Sequence, residues 1–548
     1  MAAETASERE IEWQLDAQDL RLVLRWIEVA AESANGITIT PGRTVTNRDT
    51  YVDTADRRLD RAGYSVRLRR AGRDAPEATL KSLDGERTDA LRIRLELAER
   101  LDVDDPAAIA IAPGPVGQRV RSLVGPQKLV PLFDLQTRRR SFPLTADGVP
   151  SGELLLDETT IRAHGGAILS RLQRVEVEVP EAAVGVVGPL VESLQKACGL
   201  QPAALSKYEA ALAANGHRRA DTPAFGPTVV DPADTIGHVA LAILRRHFGV
   251  MLAKEPGTRL GDDIEDLHDM RVASRRLRAA ISLFRDRLPA EAERLRTELA
   301  WIGQTIGAVR DLDVQLVQID EWTAILPEAD RDALGRLRAV LVEERARARE
   351  EMLQALDSPR YARFVRRFGA MLRTRTGSRT PPARAVAPDL VERRHRGVRK
   401  AMQRIGGEND HDGYHGLRIA GKRFRYALEF VSDVYPGQTK PLVRRTVALQ
   451  DLLGDYQDGH VAIGRLRELA VSRAEDLGPE AVFAMGEIAE RYRTGMVDVQ
   501  GRTERAYDRL RGKTWKRLRK ALEAARPETP PVAQTVADAV PEAAPPPS

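Results

Sequence analysis

The feature that most limits what this chain can fold into is a change of period part-way along it. From about residue 8 to 212, apolar and polar residues alternate in short runs broken by turn signals, as in YSVRLRR (64–70), LRIRLEL (91–97) and RVEVEVP (174–180). Successive side chains of a strand point to opposite faces, so such runs predict antiparallel strands, with helical interludes at 17–33, 116–124 and 184–197. After the Pro-containing stretch GHRRADTPAFGPTVVDPAD (216–234) the period becomes 3.6, and amphipathic stretches rich in Ala, Leu, Arg and Glu continue to about residue 524. This half is expected to be nearly all helix. A second break, RTRTGSRTPPARAVAP (373–388), divides it in two, and the Pro/Ala-rich end is expected to be disordered.

At 548 residues the chain calls for two or more domains. The opening MAAETASERE has no basic flank leading into an apolar core, and no apolar run approaches the length of a bilayer span, so a protein of the cytoplasm, without a membrane partner, is expected. The single cysteine, Cys198, excludes an internal disulfide and a thiolate metal cluster. It sits among apolar neighbours in LQKACGL and reads as a small core residue. With 85 Lys and Arg against 80 Asp and Glu, the net charge of +5 is modest. Aromatic residues make up only 5%, which disfavours recognition of nucleic acid by base stacking.

The helical half repeats itself. HDMRVASRRLRAA (268–280) matches HGLRIAGKRFRYA (415–427), and IGAVRDLDV (306–314) matches LGDYQDGHV (453–461), both at an offset of 415 − 268 = 147 residues. A duplicated bundle follows, each copy supplying one basic helix and one acid-bearing helix. His268, Arg271, Arg275 and Arg278 fall at i, i+3, i+7 and i+10 on one helix face, and His415, Arg418, Lys422 and Arg425 repeat the pattern. Like charges along one face oppose the helix and need compensation. Acids such as Asp311, Asp313, Asp455 and Asp458 can supply it as internal ion pairs; alternatively, the stripes form a groove for a linear polyphosphate, whose oxygens suit guanidinium forks. The duplication favours the groove. The paired segments resemble the CHAD domain, a helical module associated with inorganic polyphosphate, over about 232–524; the second copy departs at Gln457 and His460, where the first has Arg310 and Asp313.

In the strand half, EIEWQ (10–14) puts Glu10, Glu12 and Gln14 on one face and Ile11 and Trp13 on the other. The same parity groups Arg67 with Arg69, and Glu176 with Glu178. One charged face per strand is ordinary for a half-exposed sheet. If the sheet instead closes with charge inward, acids and bases share a lumen in which carboxylates hold a hard cation and Arg and Lys grip phosphates. The ordered series EIEWQ, YVDTADRRLDRAGYSVRLRR, ATLKS, RLEL, LLLDETTI, RVEVEV and SKYEAAL resembles the CYTH family over about 8–212. That family's triphosphate tunnel is an antiparallel barrel, and it includes inorganic triphosphatases, thiamine triphosphatases and class IV adenylyl cyclases.

The resemblance implies an α+β N-terminal antiparallel β-barrel followed by an all-α duplicated helical bundle. Its expected bounds are a tunnel domain at 1–215, a linker at 216–231, two helical repeats at 232–524 and a disordered tail at 525–548. It further implies metal ligation by Glu10, Glu12, Asp157, Glu176 and Glu178, and phosphate binding by Arg67, Arg69, Lys81, Lys207 and one or both of Arg138 and Arg140. The implied function is hydrolysis of inorganic triphosphate or short polyphosphate with Mg²⁺ or Mn²⁺, with one carboxylate, not assigned, orienting the water. The chain departs from the family's ExExK signature at Gln14, where the lysine belongs, and from RxExE at Ala98, where the second acid belongs. These departures also admit a second reading: a granule-associated polyphosphate-binding protein whose tunnel does not turn over.

Overall fold

The computed structural model describes residues 9–30, 36–71, 75–219, 224–325, 328–374, 380–407 and 410–526. Two compact units emerge: Met1–Ala224 with Gly249–Val272 and Ala348–Ala362, and Phe225–Phe248 with Ala273–Arg347 and Arg363–Ser548. The tail beyond 526, and residues 220–223 of the connector, lie outside the described residues.

The first unit is built on eight strands: β1 (Arg9–Asp16), β2 (Thr44–Thr54), β3 (Tyr64–Ala71), β4 (Glu77–Ser82), β5 (Leu91–Arg100), β6 (Leu129–Ala146), β7 (Val149–Ala163) and β8 (Ile168–Glu178). They pair antiparallel in the order β1-β8-β7-β6-β2-β3-β4-β5, and β5 returns to β1, closing the barrel that the resemblance implied. Closure removes free sheet edges and gives every strand an inner and an outer face.

Much of the outer face is apolar. Ile11, Trp13 and Leu15 of β1 join Val175 and Val177 of β8 in one buried cluster with Val23 and Ile27 of α1 (Leu20–Ala30) and Leu190 and Leu194 of α2 (Val184–Cys198). A second cluster sets Val66, Leu68 and Leu80 against Ile109, Val116 and Val120 of two short helices, Pro106–Ile111 and Pro115–Val124. With the outer faces buried this way, the charged residues that lie between these apolar ones in β1, β3 and β8 have only the lumen left. At one end the lumen is filled by Tyr51, Phe133, Leu135 and Ile161 with Tyr208 and Leu212 of α3 (Lys207–Ala214). A capping box fixes the start of α3: Ser206 accepts from the Glu209 N–H while the Glu209 carboxylate accepts from the Ser206 N–H.

The helical region runs from α4 (Ile236–Leu260) through α5 (Ile264–Leu283), α6 (Glu291–Ile325), α7 (Glu328–Asp357), α8 (Pro359–Leu372), α9 (Ala383–Met402), α10 (His411–Phe430) and α11 (Lys440–Ser472), with shorter helices to Ala524. The duplication is visible in the boundaries. Helix α10 starts and ends 411 − 264 = 430 − 283 = 147 residues after α5, and α11 ends 472 − 325 = 147 residues after α6. Contrary to the sequence expectation, α4 is long and apolar enough, by length and composition, to cross a membrane. It carries Arg245 and Arg246, and 61% of its most apolar stretch is buried inside the protein, as in a core helix.

Leu15 is fully buried between barrel and helices. Replacing it with Ala removes that packing, and urea unfolding followed by circular dichroism is expected to show a loss of about 2–5 kcal/mol.

Candidate active site inside the barrel

The inner faces enclose a small polar cavity of about 140 Å³. Strand β1 places Glu10, Glu12 and Gln14 on its wall, joined by Arg67 and Arg69 of β3, Lys81 of β4 and Arg94 and Glu96 of the neighbouring β5. Arg139 of β6, Glu176 and Glu178 of β8 and Lys207 of α3 complete it.

Register explains the pairings. Glu10 lies across from Arg94 in the β1–β5 ladder and Glu12 across from Glu178 in the β1–β8 ladder. Glu10 takes Lys81 Nζ at 2.5 Å and Arg94 Nε at 2.9 Å. Arg94 also pairs with Glu12, and Lys81 also reaches Glu96 at 3.1 Å. On the far wall Arg139 meets Asp157 at 2.7 Å, Glu176 at 2.6 Å and Glu178 at 3.5 Å, while Lys207 pairs with Asp157 and, at 2.8 Å, with Glu176. Asp49 holds Arg69 in a two-pronged bridge of 2.7 and 2.9 Å and approaches Arg67 at 3.8 Å.

These pairs set the protonation pattern. Burial opposes charge on Glu10, but Lys81 and Arg94 outweigh it and hold the carboxyl well below its usual range. Burial likewise opposes Glu176, and Lys207 and Arg139 hold it low. Burial pushes Glu12 up to about 7, and the neighbouring Glu10 charge adds to the rise. Burial also raises Glu178 and Glu96. Asp49 is lowered to about 2 because Arg67 and Arg69 outweigh its burial.

Carboxylate oxygens of Glu10, Glu12 and Glu178 all lie within 4.8 Å of one another. Three hard oxygen donors converging at that spacing fit an oxygen-seeking divalent cation, and a cation there would relieve the burial and mutual repulsion that raise Glu12 and Glu178. Of the five acids the resemblance singled out, these three form the cluster, whereas Asp157 and Glu176 are held by Arg139 and Lys207.

Four of the six expected phosphate-binding cations, Arg67, Arg69, Lys81 and Lys207, line the cavity. Arg138 and Arg140 do not; Arg139 between them does. Arg138 is half-exposed and pairs instead with Glu158 at 3.5 Å. The cause is parity: on β6 the odd-numbered Phe133 and Leu135 face the lumen, so Arg139 follows them inward and its neighbours face out. Arg139 and Asp49 are participants that the signatures did not select, and Arg94, the arginine of the RxExE signature, joins them although it was not among the expected phosphate-binding residues. Arg94 shares a face with Glu96 by simple alternation; Asp49 carried no distinguishing signal. Gln14 is buried and its Nε2 donates to Glu12 Oε1 at 2.7 Å, occupying the place of the family lysine with a neutral donor.

On the helices, Arg275 and Arg278 of α5 and Lys422 of α10 line one pocket of the second unit. His268 and Arg271 belong to the stretch of α5 counted with the first unit. His415 bonds Gln457 Oε1 at 2.9 Å, Arg418 lies 3.8 Å from Asp458, and Arg425 pairs with Glu429 at 3.1 Å. The second stripe is thus partly compensated from within, as the ion-pair alternative anticipated.

A family model of the CYTH domain matches residues 24–205, and one of the CHAD domain matches residues 242–467. The chain joins a CYTH domain to a CHAD domain. Among solved structures, it is similar to the CHAD domain from the plant Ricinus communis (28% identity, covering 52% of this chain and 94% of that one, TM-score 0.44). It is also similar to PptA from Streptomyces chartreusis (21% identity, 50% and 100%, TM-score 0.41). A third is HpAC1 from Hippeastrum, described as having a dominant triphosphatase activity (19% identity, 38% and 96%, TM-score 0.29). No curated protein matches the chain.

Glu12 gives a pH signature. Its folded value, about 7, lies above its ordinary 4.5, so between these values the folded state binds more protons than the unfolded one, and this group's contribution to stability falls as pH rises. Glu12→Gln removes that penalty. Urea titrations from pH 5 to 8 are expected to show the variant's stability, relative to the parent, rising with pH.

Proposed function

We propose that the CYTH domain hydrolyses inorganic triphosphate or short polyphosphate with Mg²⁺ or Mn²⁺, and that the CHAD domain binds longer inorganic polyphosphate, in the cytoplasm and on polyphosphate granules. The observation that carries the hydrolase reading is the meeting of two charge sets in one closed cavity: the triad Glu10, Glu12 and Glu178, and the cations Arg67, Arg69, Lys81, Arg94, Arg139 and Lys207. Base-free phosphate chains need only such a cationic wall, and the low share of aromatic residues agrees with that.

Glu10, Glu12 and Glu178 would hold the metal, which supplies charge neutralisation at the terminal phosphoryl group. The protein's own contribution is placement. Arg67 and Arg69, kept in line by Asp49, grip non-bridging oxygens in forked geometry; Lys81 and Arg94 meet the chain from the β4–β5 side and Arg139 and Lys207 from the β6–α3 side. In hydrolysis, water forms the new O–P bond, the anhydride P–O bond breaks toward the rest of the chain, and the water proton passes to a carboxylate of the lining or to solvent.

Incubating the full chain with tripolyphosphate and Mg²⁺ or Mn²⁺ is expected to release orthophosphate, and the Glu10→Ala, Glu12→Ala double variant to release none above background. Equal release from both removes the hydrolase reading. Gln14→Lys, which returns the family's cation, is expected to tighten substrate, lowering KM by roughly 5- to 150-fold, the equivalent of about 1–3 kcal/mol.

Gln14 and Ala98 favour a second reading, a polyphosphate-binding protein without turnover. In either case, neutralising Arg271, Arg275, Arg418 and Lys422 together is expected to weaken binding of long polyphosphate and flatten its salt dependence, measured by filter retention across a salt series.

A further inference from the structure

Of the three consecutive arginines of β6, the lumen uses only Arg139, and the two it leaves out do not stand alone. Arg138 and Arg140 share the outside of the barrel with Arg48 of β2, Arg162 of β7 and Arg171 of β8. In each strand the adjacent residue, Asp49, Arg139, Ile161 or Leu172, points inward, so alternation turns these arginines out. Register sets them in rows. One row runs Arg48, Gln136, Thr160, Arg171 across the four strands, the next Thr46, Arg138, Glu158, Gln173, and a third brings Thr50, Asp134 and Arg162 together. Arg171 lies ahead of the part of β8 that α1 and α2 cover, and Arg48, Gln136, Arg138 and Arg171 are exposed.

The two acids in these rows already have partners. Glu158 takes Arg138 at 3.5 Å, and Asp134 accepts from Thr50 Oγ1 at 2.8 Å and from the Gly165 N–H at 3.0 Å. Among the described residues no carboxylate pairs with Arg48, Arg140, Arg162 or Arg171. The surplus is therefore positive, and it is spread across four strands instead of along one. A single thread of phosphate would use one row and leave the rest.

We infer that the outer face of β2, β6, β7 and β8 docks duplex nucleic acid through its sugar–phosphate backbone, without regard to sequence. Neighbouring strands are about 4.8 Å apart, so Arg48 and Arg171, three strands apart in one row, stand about 14 Å from each other, close to the width of about 12 Å of a major groove. Gln136 and Thr160 lie between them, and arginine, threonine and glutamine are donors that backbone contacts use. No aromatic ring shares the rows, so nothing there stacks a loose base, and a duplex suits the face better than a single strand. The site goes beyond the function proposed above, which concerns the lumen and the helices.

Fluorescence anisotropy of a short labelled DNA duplex of mixed sequence, titrated with the full chain across a salt series, tests this. The triple variant Arg48→Ala, Arg162→Ala, Arg171→Ala is expected to bind at least roughly tenfold more weakly at about 0.1 M salt, and its slope of log affinity against log salt to be shallower by about 2–3. Far-ultraviolet circular dichroism and orthophosphate release from tripolyphosphate are expected to match the parent, because none of the three lines the lumen. A single strand of the same length is expected to bind the parent more weakly than the duplex. Absence of duplex binding by the parent, an unchanged affinity and slope in the variant, or equal binding of single strand and duplex overturns the inference. A loss confined to phosphatidylglycerol vesicles or to inorganic polyphosphate, with duplex binding intact, also overturns it and names a different occupant. The phosphate-release assay reads the lumen alone, so either idea can fail without the other.

Discussion

Opposite charges facing each other across a closed ring of strands are what the first half of this molecule depends on. Glu10, Glu12 and Glu176 are buried acids, and an isolated charge in such a place costs several kcal/mol. Lys81 and Arg94 on one side, and Arg139 and Lys207 on the other, make that burial tolerable. The arrangement is supported from outside, because the outer faces of β1, β3, β4 and β8 are committed to apolar clusters with helices. Under the proposed function the same pairs stand in for a ligand: phosphate oxygens would take over the cations, and a divalent cation the carboxylates. Binding of the two would then be linked, each releasing the partners the other needs.

Much of this architecture can be read from alternation. Val175 and Val177 mark the outer face of β8, so Glu176 and Glu178 had to face inward once the sheet closed, and in β1 Ile11 and Trp13 do the same for Glu10 and Glu12. Alternation failed at Arg138–Arg140, where three arginines in a row carry no phase of their own. The apolar neighbours mislead there too, because Phe133 and Leu135 face the lumen while Phe142 and Leu144, further along the same strand, sit with the outer helices. Asp49 was equally illegible, since its importance comes from register opposite Arg69, which only strand pairing reveals.

In the helices, the 147-residue offset of the sequence repeat is also the spacing between the boundaries of α5 and α10. Periodicity could not tell which of the stripe's cations meet acids within the fold, and the structure divides them: Arg418 lies near Asp458, whereas Arg275 and Lys422 share a pocket wall. Arg296, Arg394 and Arg423, which complete that wall, stood outside the repeated motif or off its face. Convergence of separate helices leaves no local mark in a sequence.

The way the barrel closes has a bearing on how it is made. Strand β1 pairs on one side with β5, ending at Arg100, and on the other with β8, beginning at Ile168. During synthesis its second edge must therefore stay open while β6 and β7 leave the ribosome, with like charges on its inner face and an apolar outer face awaiting cover. Contacts so distant along the chain make closure slow, and the interval is when the nascent chain is most exposed to pairing with a neighbour.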